Sequence, residues 1–326
     1  MLSILRRFFI VIAILSFQAA SSLVIMSSAR HRQHIQKLQT IIGTDAGHRG
    51  MEALIVPDDL QHAAECFAHM KPSQHVVILS GFPCCVQHTP PTETDGPPGT
   101  AALAQTAQAL GCRTTVVTDE CNENVFRAAL QHLPSVVLEC FPASMTREDD
   151  QRLATLASKC DLLLACERAG PAVDGKCYTM RGIDMEGLVA PLHHLVHEVQ
   201  ARNVPFIAIG DGGNEMGMGK VLSQIHATPQ ILNSVACIVP ADYLIAASVS
   251  NWGAYALAAA TGLLAGIDCV PTPEQEVELL QRCIQQGCRD GVSGQVEMTV
   301  DGMPLETSLQ CLRDLREVVL SGQTDN

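Results

Sequence analysis

The chain has 326 residues, of which 47% are hydrophobic and 17% are charged, so it has ample material for a large buried core and is not expected to be disordered. Its 21 basic and 34 acidic side chains give a formal net charge of −13, which repels the phosphates of nucleic acids. Aromatic residues make up only 4% of the chain, so stacking platforms for single strands are also scarce and we expect no nucleic-acid partner.

The N-terminus has the layout of a targeting segment. Arg6 and Arg7 precede an apolar run, 8–17, and then small residues, which is typical of a signal sequence. No acidic residue appears before Asp45, and this basic, serine-containing stretch also suits a mitochondrial presequence. A retained membrane anchor is a third alternative, because about 20 apolar residues span a bilayer. We therefore expect residues 1–25 to be a targeting or signal segment.

The cysteines bear on both metal binding and compartment. The 14 cysteines include no CxxC pair and no Cys/His cluster at zinc spacing, so a structural zinc framework is not predicted. Isolated reduced thiols favour a reducing compartment, and hence the mitochondrial matrix over a secretory or membrane-anchored location. Membrane association is expected only if the apolar N-terminal segment is retained.

From about residue 50 onward, short β-rich runs alternate with segments of helical period. The predicted strands are 75–82, 114–119, 135–140, 161–167, 205–211 and 235–239. The predicted helices are 99–110, 125–133, a helix capped by Thr146 and Asp149, 185–202, 255–264 and 273–286. A hairpin that turns at Asp301 and Gly302 and a helix to about residue 320 follow. This order predicts an α/β fold, an open and mostly parallel Rossmann-like sheet with helices on both faces.

Polar and glycine-rich loops follow five of the predicted strand ends. They read ETDGPPG, TDE, ERAGPAVDG, DGGNEMGMG and SNWG. In open parallel sheets, ligands bind beyond the carboxyl ends of the strands, where such loops converge. We therefore expect one shared polar pocket at this edge of the sheet.

The loop at residues 211–215 is the most specific of the five. Gly212 and Gly213 permit close approach of the backbone, and Asp211, Asn214 and Glu215 place three oxygen-bearing groups within five residues. These oxygens suit a hard divalent cation or the ammonium group of a ligand. The alternative is an ordinary helix N-cap at Asp211 or Asn214.

Three other candidate residues have equally plain alternatives. Asp95 precedes Gly96 and could simply form a turn before a helix. Arg168 and Arg181 carry the planar fork that best binds a carboxylate, or they belong to an ion-pair network. The GxGxxG pattern is not properly met, and GxSxG, P-loop and HExxH motifs are absent, which disfavours dinucleotide, hydrolase and NTPase functions.

Several long segments together carry a family resemblance. They are ILSGFP (78–83), ETDGPPGTAAL (93–103), VTDE (117–120), CERAGPAVDGKCYTMRGID (166–184), IGDGGNEMGMG (209–219), ADYLIAASVSNWG (241–253) and TVDGMPLE near the end. With these segments, the chain after about Thr40 resembles the C-terminal domain of the D-glutamate cyclase family. Ser80 stands where this family is expected to have threonine.

The resemblance implies one D-glutamate cyclase-like domain at residues 40–326. It also implies a lyase of the hydro-lyase type, which converts D-glutamate to 5-oxo-D-proline with loss of water. Some members carry a further N-terminal domain resembling a hydro-lyase, for which this chain has no room. The implied partner is a small amino dicarboxylate, and a homo-oligomer stays open.

Lactam closure sets the requirements for the site. The α-amine must lose a proton and attack the γ-carboxyl group, and a donor or Lewis acid must help an oxygen leave as water. We assign Asp211 or Glu215 as base or metal ligand, and Asp95 as acid or second ligand. The cofactor, if any, is a divalent cation such as Mn²⁺ or Mg²⁺.

The substrate also has to be held by its charged ends. We assign Arg168 and Arg181 to its carboxylates, and Asn214 and Asn251 to orienting hydrogen bonds. Two other functions stay open at this point: a non-catalytic module that binds an acidic metabolite, and a nucleotide-dependent oxidoreductase.

Overall fold

The computed structural model describes residues 29–324, so the predicted targeting segment lies outside the described residues. Six parallel strands form one sheet in the order β3-β2-β1-β4-β5-β6. The strands are β1 His75–Gly81, β2 Arg113–Asp119, β3 Val137–Phe141, β4 Leu162–Arg168, β5 Phe206–Gly210 and β6 Tyr243–Ala246. A separate antiparallel hairpin, β7 Thr299–Val300 and β8 Met303–Pro304, turns at Asp301 and Gly302 as predicted.

The helices cover both faces of this sheet, which confirms the predicted fold class. They are α1 (29–42), α2 Asp59–Ala68, α3 Pro97–Ala109, α4 Glu123–Ala129, α5 Arg147–Lys159, α6 His193–Ala201, α7 Leu222–Ala227, α8 Ser250–Ala265, α9 Pro273–Gln285 and α10 Leu305–Thr324. The predicted capping box of Thr146 and Asp149 begins α5. None of the helices in the described part of the chain combines the length and apolarity needed to cross a bilayer.

The hydrophobic core has two parts, one on each face of the sheet. Successive side chains of a strand point to opposite faces. In β1, Val76 and Ile78 accordingly pack with residues of α1, α2, α3, α8, α9 and α10, whereas Val77 and Leu79 pack with α5, α6 and α7. All seven residues of β1 are buried, as expected for a parallel strand that is covered on both sides.

Two predicted elements differ from the observed ones. The helix predicted at 185–202 begins only at His193, because Pro191 lacks an amide hydrogen and disfavours helical geometry in the residue before it. The strand predicted at 235–239 is wrong. The carbonyl of Val239 instead accepts from the amides of Gly217 and Gly219, so this segment pairs with the loop after β5, and β6 is the next segment along.

A buried ion pair ties the strand ends together where the strand order reverses. Arg168, the last residue of β4, reaches over the end of β1 to Asp119, the last residue of β2. Its guanidinium nitrogens lie 2.5 and 2.9 Å from the two carboxylate oxygens of Asp119. The guanidinium of Arg168 also donates a hydrogen bond to the carbonyl of Ala190 at 2.8 Å. Both charged side chains are at most 1% exposed, so neither has access to water as a substitute partner.

Replacement of Asp119 by alanine is expected to lower the free energy of unfolding by about 3–5 kcal/mol, because Arg168 would stay buried without its carboxylate. Urea denaturation followed by circular dichroism measures the loss. The matched control is Glu123→Ala, which breaks the exposed pair with Arg127 and should leave the midpoint unchanged. Equal midpoints for the two variants would contradict the stabilising role of the buried pair.

Candidate active site

A cavity of about 150 Å³ lies beyond the carboxyl ends of the central strands. Loops that follow β1, β4 and β5 line it, together with residues from before β1 and from the hairpin region. Its ionisable lining residues are Arg49, Glu93, Glu167, Arg181, Asp211, Glu215 and Asp301. Three of the five loops that were predicted to converge therefore meet around one small, strongly acidic space, whereas no residue of TDE or SNWG lines it.

Asp95 is held by the first turn of α8. Its carboxylate oxygens accept from the backbone amides of Gly96 at 2.9 Å, Asn251 at 2.8 Å and Ser250 at 2.8 Å. The amide of Ser250 also lies 3.3 Å from a carboxylate oxygen of Asp211. Helix N-termini carry free amides and a positive partial charge, which stabilise an anion at this position. The start of α8 thus holds two of the predicted catalytic carboxyl groups side by side.

The side chain of Asn251 fixes the loop that carries Asp95. Its carbonyl oxygen accepts from the amides of Gly96 at 3.0 Å and Gly99 at 2.8 Å, and its amide donates to the carbonyl of Thr94 at 3.1 Å. The polar atoms of Asn251 are therefore engaged by the protein itself. Its orientation of a substrate stays a prediction.

The loop after β5 wraps around the carboxylate of Glu215. This carboxylate accepts from the backbone amides of Asp211 at 3.0 Å, Gly212 at 2.5 Å and Gly213 at 2.7 Å. Gly213 has a φ of 94°, which an L side chain rarely adopts. Asn214 lines the cavity and donates from its amide to the carbonyl of Tyr178 at 2.7 Å. The two glycines shape the loop, and their backbone amides donate hydrogen bonds to the Glu215 carboxylate.

Glu167, at the start of the predicted loop ERAGPAVDG, was given no role by the sequence analysis. It lines the cavity, and its carboxylate accepts from the hydroxyl of Ser250 at 2.6 Å. Its φ of 43° is in the left-handed region. For a residue other than glycine, this conformation costs a strain energy of the order of 1–3 kcal/mol. Such strain clusters at functional sites. Glu167 thus joins the predicted carboxyl groups as a candidate catalytic residue.

Arg49 and Asp301 reach the cavity from the two ends of the described chain. The guanidinium of Arg49 pairs with Asp211 at 2.8 Å and with Asp301 at 2.6 Å. The sequence reasoning missed Arg49, because it precedes every predicted element. It treated Asp301 only as a turn residue, and the φ of 56° at Asp301 confirms that turn while its carboxylate lies at the cavity.

Burial and mutual repulsion disfavour the charged forms of these carboxyl groups. Burial, followed by the charge of Asp301, raises the pKa of Asp95 to about 7. Burial raises the pKa of Glu93, Glu167, Asp211 and Asp301 well above the ordinary range, and their acidic neighbours add to the effect. Burial alone would lower the pKa of Arg49, but Asp211 and Asp301 outweigh it and raise that pKa. A bound cation or bound protons would relieve this repulsion.

Two groups of carboxyl oxygens have the spacing of a metal site. Asp95, Asp211 and Asp301 form one group and Glu167, Asp211 and Glu215 the other, and within each the oxygens lie within 4.8 Å of one another. Hard oxygen ligands suit Mg²⁺ and Mn²⁺. Asp211 belongs to both groups and is therefore the central acidic residue of the site.

The two arginines predicted to bind carboxylates occupy different positions. Arg181 is exposed at the cavity and donates to the carbonyl of Val292 at 2.7 Å. Arg168 lies outside the lining of the cavity, and Asp119 already fills its fork. Substrate binding by Arg168 stays a prediction, and its contacts give it a structural role.

A larger groove, of about 1010 Å³, lies at the opposite edge of the sheet. Its lining includes His75, Arg113 and Val137, the first residues of β1, β2 and β3. Ligands of open parallel sheets bind at the carboxyl ends of the strands, not at this edge. The smaller acidic cavity is therefore the better candidate for an active site.

A doubly wound parallel sheet with an acidic cavity at its strand ends defines a Rossmann-like α/β protein with a site for a small charged molecule. Residues 38–316 match the family model described as D-glutamate cyclase-like, C-terminal. The chain belongs to this family, which confirms the resemblance drawn from its motifs. It is 33% identical over 320 residues to the human protein named D-glutamate cyclase, mitochondrial. The match covers 87% of this chain and 51% of the human protein, so the chain spans about half the length of this relative.

The raised pKa of Asp95 predicts a specific dependence of stability on pH. Its pKa is about 7 in the folded chain and ordinarily 3.8, so between about pH 4 and 7 the folded state holds a proton that the unfolded state has lost. Stability should therefore fall as pH rises through this window, by at most about 1.4 kcal/mol per pH unit for one proton.

Asp95→Asn removes this titration and also relieves its acidic neighbours, so its stability should change less with pH. Urea unfolding at several pH values, without divalent cations, measures the difference in slope from the unsubstituted chain. Asp150→Asn, at an exposed aspartate of α5, is the control and should keep the original slope. Parallel curves for the unsubstituted chain and Asp95→Asn would contradict the raised pKa.

Proposed function

We propose that this chain closes D-glutamate to 5-oxo-D-proline with loss of water, as a lyase of the hydro-lyase type. The observation that carries the proposal is the acidic cavity itself, in which carboxyl groups of raised pKa surround a space suited to an ammonium group. The name of the human relative supports the same reaction. A volume of about 150 Å³ suits a ligand of about the size of an amino acid.

The residues divide into charge-binding and proton-transferring groups. Glu167 and Asp211 would hold the ammonium group of the substrate, and Asn214 would orient it. Arg181, exposed at the mouth, would bind the α-carboxylate through its planar fork. This arrangement would direct the nitrogen and the γ-carboxyl group towards the acidic floor of the cavity.

Ring closure moves two protons from the ammonium nitrogen to the oxygen that leaves. A carboxylate with raised pKa is a stronger base than an ordinary one, so Glu167 is the proposed acceptor of the ammonium proton. The nitrogen attacks the γ-carboxyl carbon and then loses its second proton. The bond from that carbon to one carboxyl oxygen breaks. This oxygen takes up two protons, one from a protonated neighbour and one that the nitrogen released, and leaves as water. Asp95, with a pKa of about 7, is available in both protonation states near neutral pH and is the proposed donor.

A divalent cation is the second part of the proposal. The two clusters of carboxyl groups fit Mn²⁺ or Mg²⁺ by donor type and spacing, with Asp211, Glu215 and Asp301 as ligands and with Asp95 and Glu167, the proposed acid and base, beside the cation. When bound, the cation would polarise the γ-carboxyl oxygen. It would also offset the repulsion between the acidic side chains.

The proposed cellular location is the mitochondrial matrix. It rests on the basic, acid-free N-terminal sequence, which suits a presequence, and on the mitochondrial name of the human relative. The fourteen cysteines are free thiols, as a reducing compartment would leave them.

The activity is tested by incubating the purified chain separately with D- and L-glutamate, with and without Mn²⁺, and detecting the cyclised product by mass. Glu167→Gln should lower kcat for D-glutamate about a hundredfold or more, because the amide cannot accept the proton. Glu186→Gln, at an exposed glutamate, is the control and should keep full turnover. Full turnover by Glu167→Gln would remove this residue from the mechanism, and binding without product would favour the metabolite-binding alternative.

Mn²⁺ should raise the melting temperature of the unsubstituted chain, because a ligand that binds only the folded state stabilises it. The Asp211→Asn variant should lose most of this rise in melting temperature, since Asp211 belongs to both clusters of carboxyl groups. Each shift is measured against the same variant without metal, and Asp150→Asn again serves as control. An equal rise in all three proteins would contradict the proposed metal site.

A further inference from the structure

We propose that the same cavity also accepts D-γ-glutamyl amides of small aliphatic amines and releases 5-oxo-D-proline by expelling the amine. This inference rests on the proposed function, because it uses the same nucleophile and the same ring closure. It differs in the group that leaves and in the residues that recognise that group.

The first argument is the balance of charge at the cavity. Arg49 is already paired with both Asp211 and Asp301, so of the two arginines that line the cavity only Arg181 still has no carboxylate partner in the described part of the chain. Glutamate brings two carboxylates to this site, whereas a γ-glutamyl amide brings one. A neutral amide also brings no second negative charge next to Glu93 and Glu167. The metal-free cavity thus matches the amide better than the free acid.

The second argument is an aliphatic rim on this otherwise polar cavity, made by Ile183 and Val292. Both line the cavity, yet their side chains are 45% and 49% exposed. Charged and polar residues usually occupy such positions, and exposed apolar side chains at a binding cleft mark contacts with a ligand. An alkyl group on the departing nitrogen would cover this rim when the amine points towards solvent.

The backbone holds this rim in place. Asp290, which is fully buried, accepts from the amides of Val292 at 2.9 Å and Gly302 at 2.7 Å. The backbone amide of Thr179 donates a hydrogen bond to the carbonyl of Ile183 at 2.9 Å, and the Thr179 hydroxyl accepts from the Ile183 amide at 3.2 Å. The backbone that carries the two aliphatic side chains is therefore held by hydrogen bonds within the protein.

The reaction balances without a further reactant. The α-ammonium group loses one proton to the proposed base, and its nitrogen loses a second proton as it forms the bond to the γ-carbonyl carbon. The bond from that carbon to the amide nitrogen breaks. The amide nitrogen takes up two protons, one from the proposed acid and one from the base, and leaves as an alkylammonium ion. An amide carbonyl carries no negative charge, so it is a better electrophile for this attack than a carboxylate.

The test compares D-glutamate, D-glutamine and D-γ-glutamyl-butylamide as substrates, each assayed for 5-oxo-D-proline. We expect kcat/KM for the butylamide to exceed that for D-glutamine about tenfold, since the alkyl group buries the rim. Ile183→Ser and Val292→Ser should each lower the ratio of kcat/KM for the butylamide to that for D-glutamate about tenfold. Val296→Ser, at a 45% exposed valine of the same loop outside the cavity lining, is the control and should keep the ratio.

The outcomes separate this inference from the proposed function. Turnover of D-glutamate without turnover of the butylamide would overturn the inference and leave the proposed function intact. An unchanged ratio in both rim variants would likewise overturn it. Turnover of the amides without D-glutamate would support the inference and overturn the proposed function, and no turnover of any of the three compounds would overturn both.

Discussion

The central constraint on this structure is that several carboxyl groups are buried within a few ångströms of one another. Such crowding is unfavourable because each buried charge loses its hydration and repels its neighbours. The fold offsets it locally, with the first amides of α8 on Asp95, three loop amides on Glu215, and Arg49 between Asp211 and Asp301. The remaining imbalance is what makes the cavity attractive to protons and to a cationic ligand.

The end of β4 serves both the scaffold and the site. Glu167 and Arg168 are consecutive, yet Glu167 lies at the cavity while Arg168 is buried against Asp119. The left-handed backbone at Glu167 and the register shift between β1 and β4 at this point accompany the separation. The buried ion pair anchors the end of β4 directly beside the strained residue.

The sequence predicted the parts of the site that follow from local order along the chain. Asp95, Asp211, Glu215 and Asn251 meet because parallel strands end at one edge of a sheet, and five of the six strands were readable from periodicity. Arg49 and Asp301 were not predictable in this way, since 252 positions separate them and no predicted strand precedes Arg49. The same limit applies to Arg168, whose partner is 49 positions away. An arginine after a buried strand looks the same in sequence whether it binds a ligand or an ion-pair partner.

The carboxyl groups of Asp211 and Glu167 have different surroundings, which suit them to different roles. Burial raises the pKa of both, but Arg49 opposes this effect at Asp211, whereas acidic neighbours reinforce it at Glu167. A carboxylate beside an arginine keeps its charge more readily and suits a fixed ligand for an ammonium group or a cation. A carboxyl group among other acids exchanges its proton more readily and suits acid–base chemistry. Pairs of titratable groups set apart in this way define acid and base assignments in enzymes, which supports Glu167 as the proposed proton acceptor.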